Sequence, residues 1–243
     1  LGPAVAIDCF ASSVAQYSDG HAIVAVDVIR ATTVAVTAVA SGRRCVVARG
    51  LDDAFALRDR LGNAVLAGEL AGTMPDGFDM NNSTADIAAR KDVHRPLVML
   101  SSSGTALILE AGTSRLGAYV ACFRNFEAVA RHLSASPRPV AVIGAGSRGE
   151  FREEDQMCCA WVAEALVAAG YRPSSRQTTE IIDRWSGVPV SACENGTSVA
   201  YLRRSGQMRD FEFIATHVAD LDLVCAIEAN EVVPSVGRAD GAD

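Results

Sequence analysis

Asp27, Arg30, Thr32 and Thr33 come directly after the apolar run Ala22–Val26 and open a stretch rich in alanine, valine and threonine. A strand that feeds a helix aims the helix's unpaired N–H groups and the positive end of its dipole at one spot, which suits a phosphate or sulfonate. Asp27 at the strand end adds an oxygen that can hold Mg²⁺ or attack an electrophile. Taken alone, such a turn is more simply a capped helix. Repetition along the chain shifts the balance.

Three more polar clusters follow apolar runs. Gly68-Glu69 ends one and leads into Gly77-Phe78-Asp79-Met80-Asn81-Asn82-Ser83; Ser101-Ser102-Ser103-Gly104-Thr105 ends the next; Gly144-Ala145-Gly146-Ser147-Arg148-Gly149 ends a third, before Glu153-Glu154-Asp155. In open α/β sheets, ligands bind outside the carboxyl ends of the strands, so all four clusters are expected on one sheet edge, around one crevice. Carboxylates, hydroxyls, arginines and backbone amides converging there make a site for a metal and a multiply charged anion.

The elements that must position these groups alternate. The pattern predicts strands at 5–10, 22–26, 44–48, 64–67, 97–100, 118–122 and 140–143. It predicts helices at 32–41, 51–61, 85–90, 105–111, 125–133, 154–169, 178–185, 197–205 and 208–216. This is an α/β fold in three layers, with a mixed or largely parallel sheet, the site at the carboxyl ends of its strands and a helical C-terminal third. The 243 residues, 49% hydrophobic, suffice for one sizeable domain or two intimate lobes, and the last residues, 236–243, read as a flexible tail.

A formal net charge of −7 argues against nucleic acid as a partner. Lys91 is the only lysine, so no P-loop is present, and positive charge rests on arginine, the better fork for carboxylate, sulfonate and phosphate. The seven cysteines form no CxxC pair and sit largely in apolar runs, where they behave as reduced, small hydrophobes and point to the cytoplasm. The histidines lack zinc-site spacing, and no apolar run is long enough to span a bilayer. Apolar helix faces would permit a homodimer, although such faces more often build a monomer's core.

In their order and spacing, Asp27-Val28-Ile29-Arg30-Ala31-Thr32-Thr33, Gly68-Glu69, Gly77-Phe78-Asp79 with Asn82-Ser83, Gly104-Thr105, Ala145-Gly146 with Gly149, and Glu154-Asp155 before Cys158 resemble the 2-phosphosulfolactate phosphatase family. The resemblance runs on to the ending Asp222 to Pro234 and so covers nearly the whole chain. It implies an α/β, Mg²⁺-dependent phosphatase that releases phosphate from 2-phosphosulfolactate, a step toward coenzyme M. On this reading Asp27, Glu69 and Asp155 surround Mg²⁺, with Asp27 a ligand or the nucleophile. Arg30 and Arg148, the turns at Thr32-Thr33 and at Ser101, Ser102, Ser103, Gly104 and Thr105, and Asn82 hold the small anionic phosphate ester. Asp79 is a general acid or supports one. The chain departs from the family pattern at Leu70-Ala71, Asn81, Thr84 and Ser103.

Other functions fit parts of the pattern less well. Gly144 to Gly149 matches GxGxxG, the mark of a dinucleotide-binding oxidoreductase, but the helix that follows opens with three acids and no second strand ends in Asp or Glu at the required distance. A non-catalytic relative that binds a small anion is the stronger alternative. Asn195-Gly196-Thr197-Ser198 faintly echoes Ser103-Gly104-Thr105, but helix starts commonly reuse these residues, so no second site is read from it.

Overall fold

Local chemistry sets the elements. In helices, Ser83 and Ser175 accept backbone N–H groups three residues on, from Asp86 and Thr178, and so open two of them. Asp52 and Asp53 in the first turn and Arg58 and Arg60 in the last turn of another suit its dipole. The structure, a computed structural model, describes residues 2–235; the tail 236–243 lies outside the described residues.

In chain order the elements are β1 (Ala4–Cys9), β2 (Ala22–Val26), α1 (Ala31–Ala40), β3 (Cys45–Val47), α2 (Leu51–Leu61), β4 (Val65–Gly68) and α3 (Thr84–Ala89). Next come β5 (Leu97–Leu100), α4 (Gly104–Ala111), β6 (Ala118–Ala121), α5 (Phe126–Ala135), β7 (Val140–Gly144) and α6 (Glu153–Ala168). The last third holds β8 (Arg172–Pro173), α7 (Arg176–Trp185), α8 (Thr197–Arg204), α9 (Met208–Thr216), β9 (Cys225–Glu228) and β10 (Glu231–Pro234). The seven predicted strands and nine predicted helices are all present with small shifts at their ends, and the helical character of the last third holds through α9.

The sheet runs β4-β5-β3-β10-β9-β6-β2-β7-β1-β8. Within β4-β5-β3 and within β6-β2-β7-β1-β8 the ladders are parallel. The β9–β10 hairpin joins these halves through three successive antiparallel ladders, so locally the two halves run in opposite senses. That corrects the expectation of one shared edge. A flat sheet of this order would put the ends of β2 and β5 on opposite edges. Twist of about 20–25° per strand, accumulated over the five steps from β5 to β2, rotates the two halves by roughly 100–125° and so takes those ends off opposite edges.

The two halves share a core. One cluster combines the inner faces of both halves, such as Ile23, Ile143, Val65 and Met99, with α1 and with Leu107 and Ile108 of α4. A second packs the outer face of the larger half against α5, α6 and the C-terminal helices, and a third packs Val46, Leu66 and Val98 against Ala54 and Leu57 of α2. Helices therefore cover both sheet faces, and the inner layer is enclosed. Residues Ala31 to Val39 of α1 are all buried, so β-branched residues poor in helix propensity are held helical by packing.

Candidate functional site

The turn after β2 is built by its own side chains. The Thr32 hydroxyl accepts the Asp27 N–H at 2.9 Å and donates to the Asp27 carbonyl at 2.8 Å, while Thr33 donates to the Val28 carbonyl at 2.7 Å. Ala31 N–H donates to Asp27 Oδ1 at 3.2 Å. Asp155, at the head of α6, crosses to the same turn: its Oδ1 accepts the Val28 N–H at 2.8 Å and its Oδ2 the Gly146 N–H at 3.3 Å. A Cβ on Gly104 would lie 2.1 Å from Asp27 Oδ2 and 2.4 Å from the Ala31 Cβ, so only glycine lets α4 start against that carboxylate.

These contacts line a crevice of about 390 Å³ containing Asp27, Arg30, Glu69, Asn82, Ser101 to Ser103, Arg148, Arg152, Asp155, Tyr201 and Arg204. A larger cavity, about 700 Å³, adjoins it across Arg152, Asp155 and Thr197. Its lining has several carboxylates and only Arg152 as a cation, so the smaller crevice with four arginines is the better host for an anion.

The acids in and behind the crevice are under electrostatic load. Burial pushes Asp27 up to about 7; the Ala31 N–H opposes this, the Glu69 and Glu154 charges add to it, and Arg30 offsets part. Burial, and then the Asp27 and Glu154 charges, hold Asp155 well above the usual carboxylate range, and burial raises Glu154 as well. Oε1 of buried Glu154 and Oδ1 of buried Asn82 have no hydrogen-bond partner. Such a set gains from any positive charge placed beside it.

The structure also moves several expected residues out of the reacting centre. Thr32, Thr33 and Thr105 are buried, and their hydroxyls are spent on backbone groups of their own turns, so they shape the site rather than line it. Glu69, by contrast, stays in the crevice lining, and there it receives the Ser102 N–H at 2.7 Å, the Ser102 hydroxyl at 3.0 Å and the Gly72 N–H at 2.7 Å, so it also clasps two loops. Asp79 is exposed, outside the crevice lining, and accepts the Leu66 N–H at 2.8 Å on the edge strand β4. An edge strand's free N–H needs an acceptor, and that need, not proton transfer, accounts for Asp79. Asp79→Asn is expected to leave kcat within about twofold of wild type while costing a few degrees in Tm; a kcat loss beyond tenfold in steady-state assays would restore its role as an acid.

Other expected residues do meet in the crevice. Ser101, Ser102, Ser103 and Asn82 line it, as do Arg30 and the exposed Arg148, which sits at φ 54° in a left-handed turn and has no ion-pair partner among the described residues. Thr197, Ser198, Tyr201 and Arg204 of α8 line it too and were not anticipated. The echo at Asn195 to Ser198 was their only sequence signal. The Gly144 to Gly149 loop folds onto itself through paired Ser147–Glu150 backbone bonds, and its Gly146 N–H is taken by Asp155. The Ala145, Gly146 and Ser147 amides, which a dinucleotide's pyrophosphate would draw on, are therefore in use.

Among the described residues no three His, Cys, Asp or Glu side chains form a ready-made metal cluster, and no helix is long and apolar enough to cross a membrane. All seven cysteines are free.

A sequence profile of 2-phosphosulpholactate phosphatase matches residues 10–237. Over 194 residues the chain is 30% identical to a probable 2-phosphosulfolactate phosphatase of Deinococcus radiodurans, covering 78% of this chain and 81% of that one. It is 35% identical over 150 residues to a protein of the same name from Pseudothermotoga lettingae, covering 61% and 64% of the two chains, which is under two thirds of that relative's length. A third, from Symbiobacterium thermophilum, is 33% identical over 205 residues, covering 81% and 87%. The match spans every loop that builds the crevice, from the Asp27 turn to the start of α8, and on that ground the chain belongs to the 2-phosphosulfolactate phosphatase family.

Proposed function

We propose that this chain is a Mg²⁺-dependent, cytoplasmic phosphatase that hydrolyses a small phosphorylated sulfocarboxylic acid, 2-phosphosulfolactate, to sulfolactate and phosphate. The observation that carries the reading is the pairing, in one crevice of about 390 Å³, of two buried carboxylates with four arginines. Family membership supports it.

The residues present fit the ion. Oxygen donors are what Mg²⁺ takes, and it is commonly held by one or two carboxylates with waters and substrate phosphate completing the shell, so a three-acid cluster is not required. Asp27 and Asp155 would hold it, and the unpartnered Oδ1 of Asn82 is a further neutral oxygen among the residues that line the crevice. When bound, the ion neutralises phosphoryl charge and orients the phosphoryl oxygens. The chain's own residues do the rest. Arg30, Arg148, Arg152 and Arg204 supply forked donors for an ester carrying phosphate, carboxylate and sulfonate. Ser103, the N-cap of α4, places its hydroxyl and the helix's positive end on the same wall, while the Ser102 hydroxyl is held by Glu69 and by the Ala71 N–H.

Arg148 is exposed and unpaired, so its contribution is expected in binding rather than in chemistry. Arg148→Ala should raise KM by about tenfold with kcat changed less than threefold, as steady-state phosphate release will show. The substrate class is tested by comparing 2-phosphosulfolactate with phospholactate, which lacks the sulfonate. A kcat/KM at least tenfold higher for the sulfonated ester supports the reading; equal values would make this a phosphatase indifferent to the sulfonate.

A further inference from the structure

The guanidinium of Arg30 does not stand free in the crevice. Its Nη1 donates to Asp210 Oδ2 and to Gln207 Oε1, each at 2.5 Å, and its Nη2 donates to Asn81 Oδ1 at 3.2 Å. Arg30 and Asp210 are 5% and 1% exposed, so this ion pair is shielded from water. The second carboxylate oxygen of Asp210 is used as fully: Oδ1 accepts the Ser83 hydroxyl at 2.7 Å and the Ala85 N–H at 2.9 Å. One carboxylate on α9, remote in sequence from the clusters that follow β2, β4, β5 and β7, therefore grips both Arg30 and the loop that carries Asn82.

We propose that Asp210 is a positioning residue for the anion-binding crevice, acting through Arg30 and the residue 81–85 loop without touching substrate itself. A guanidinium on a flexible stem loses orientational freedom when it binds an anion, and a prior grip on one face removes that loss before the ligand arrives. Asp210 and Gln207 occupy Nη1, and Asn81 takes one position on Nη2. Nε of Arg30 has no acceptor among the described residues, and the side chain lines the crevice, so the unspent donors serve the ligand. Asn81, where the chain departs from the family pattern, adds to the grip. The inference rests on the phosphatase reading for its kinetic arm only, because anion binding can be measured without turnover.

The test uses Asp210→Asn, Arg30→Lys, the double variant and Gln207→Ala, with two readouts: kcat/KM for phosphate release and the Kd for inorganic phosphate by calorimetry. A catalytic group misplaced by about 1 Å can cost about 100-fold, and losses of about that size in kcat/KM are expected for Asp210→Asn and for Arg30→Lys. Both should also bind phosphate about tenfold more weakly, and the double variant should be no worse than the poorer single, because both changes break one unit. Asp210→Asn that is folded and retains wild-type phosphate affinity overturns the proposal, and so does a double variant whose losses multiply. If Asp210→Asn does not fold, Gln207→Ala carries the test: a three- to tenfold loss in both readouts supports the proposal, and wild-type values overturn it. Wild-type protein that binds phosphate but releases none from any ester contradicts the phosphatase reading and leaves the calorimetric arm intact.

Discussion

Asp27→Asn is expected to reduce phosphate release by at least about 1,000-fold while raising the melting temperature of the metal-free protein at pH 8. The activity loss follows from place: Asp27 is the buried carboxylate at the end of β2 around which the crevice is assembled, and an amide offers the ion or the substrate no charge. The stability gain follows from linkage. Burial raises the Asp27 pKa from 3.8 to about 7, so between these values the native protein holds a proton that the unfolded chain has released. Stability from this group is complete below about 3.8, falls progressively as pH rises from there, and is lost once pH has passed about 7. Asparagine cannot ionise, keeps an oxygen for the Ala31 N–H, and escapes that loss. Melting curves of both proteins in EDTA at pH 4.5 and pH 8 check this: the variant's gain should be small at pH 4.5 and severalfold larger at pH 8. A variant that is active, or that melts below wild type at pH 8, would contradict the assignment.

Gly104→Ala is expected to destabilise the protein and remove most of its activity, against the usual sign for such a change. In a solvated helix alanine is favoured over glycine by about 1 kcal/mol. Here the added methyl group would lie 2.1 Å from Asp27 Oδ2 and 2.4 Å from the Ala31 Cβ, far inside contact distance. The carboxylate can swing, but it would leave the Ala31 N–H, and the Ala31 Cβ on buried α1 has nowhere to go. Overpacking of this kind costs about 1–3 kcal/mol, which exceeds the propensity gain. For a chain of this size that is a fall in Tm of about 5 °C, and kcat/KM should fall by about 100-fold because Asp27 itself is displaced. Unchanged melting and activity would show that α4 does not start against Asp27.

Much of this was legible before any coordinates. Alternation of apolar strands with helical stretches gave seven strands and nine helices, and the polar clusters after β2, β5 and β7 do converge. The β9–β10 hairpin was missed for a local reason: its two-residue turn is Ala229-Asn230, with Ala229 at φ 55°, and it lacks the Asn-Gly or Asp-Gly signature that marks tight hairpins. Missing the hairpin meant missing the reversal between the two sheet halves. Site roles were the least legible part. A hydroxyl after a strand can face a ligand or close its own turn with equal sequence cost, and Thr32, Thr33 and Thr105 took the second course. Asp79 and Glu69 went to backbone donors for the same reason. Asp210 lies on an ordinary amphipathic helix, and nothing in its spacing ties it to Arg30, 180 residues away.

The measurement that tests the central claim most directly is phosphate release from 2-phosphosulfolactate by the purified protein, in Mg²⁺ and in EDTA. Steady turnover in Mg²⁺ that falls by at least about 100-fold in EDTA and returns when Mg²⁺ is restored is the predicted result. Well-folded protein that binds the ester but releases no phosphate in either condition would contradict the account and make this chain an anion-binding member of its family.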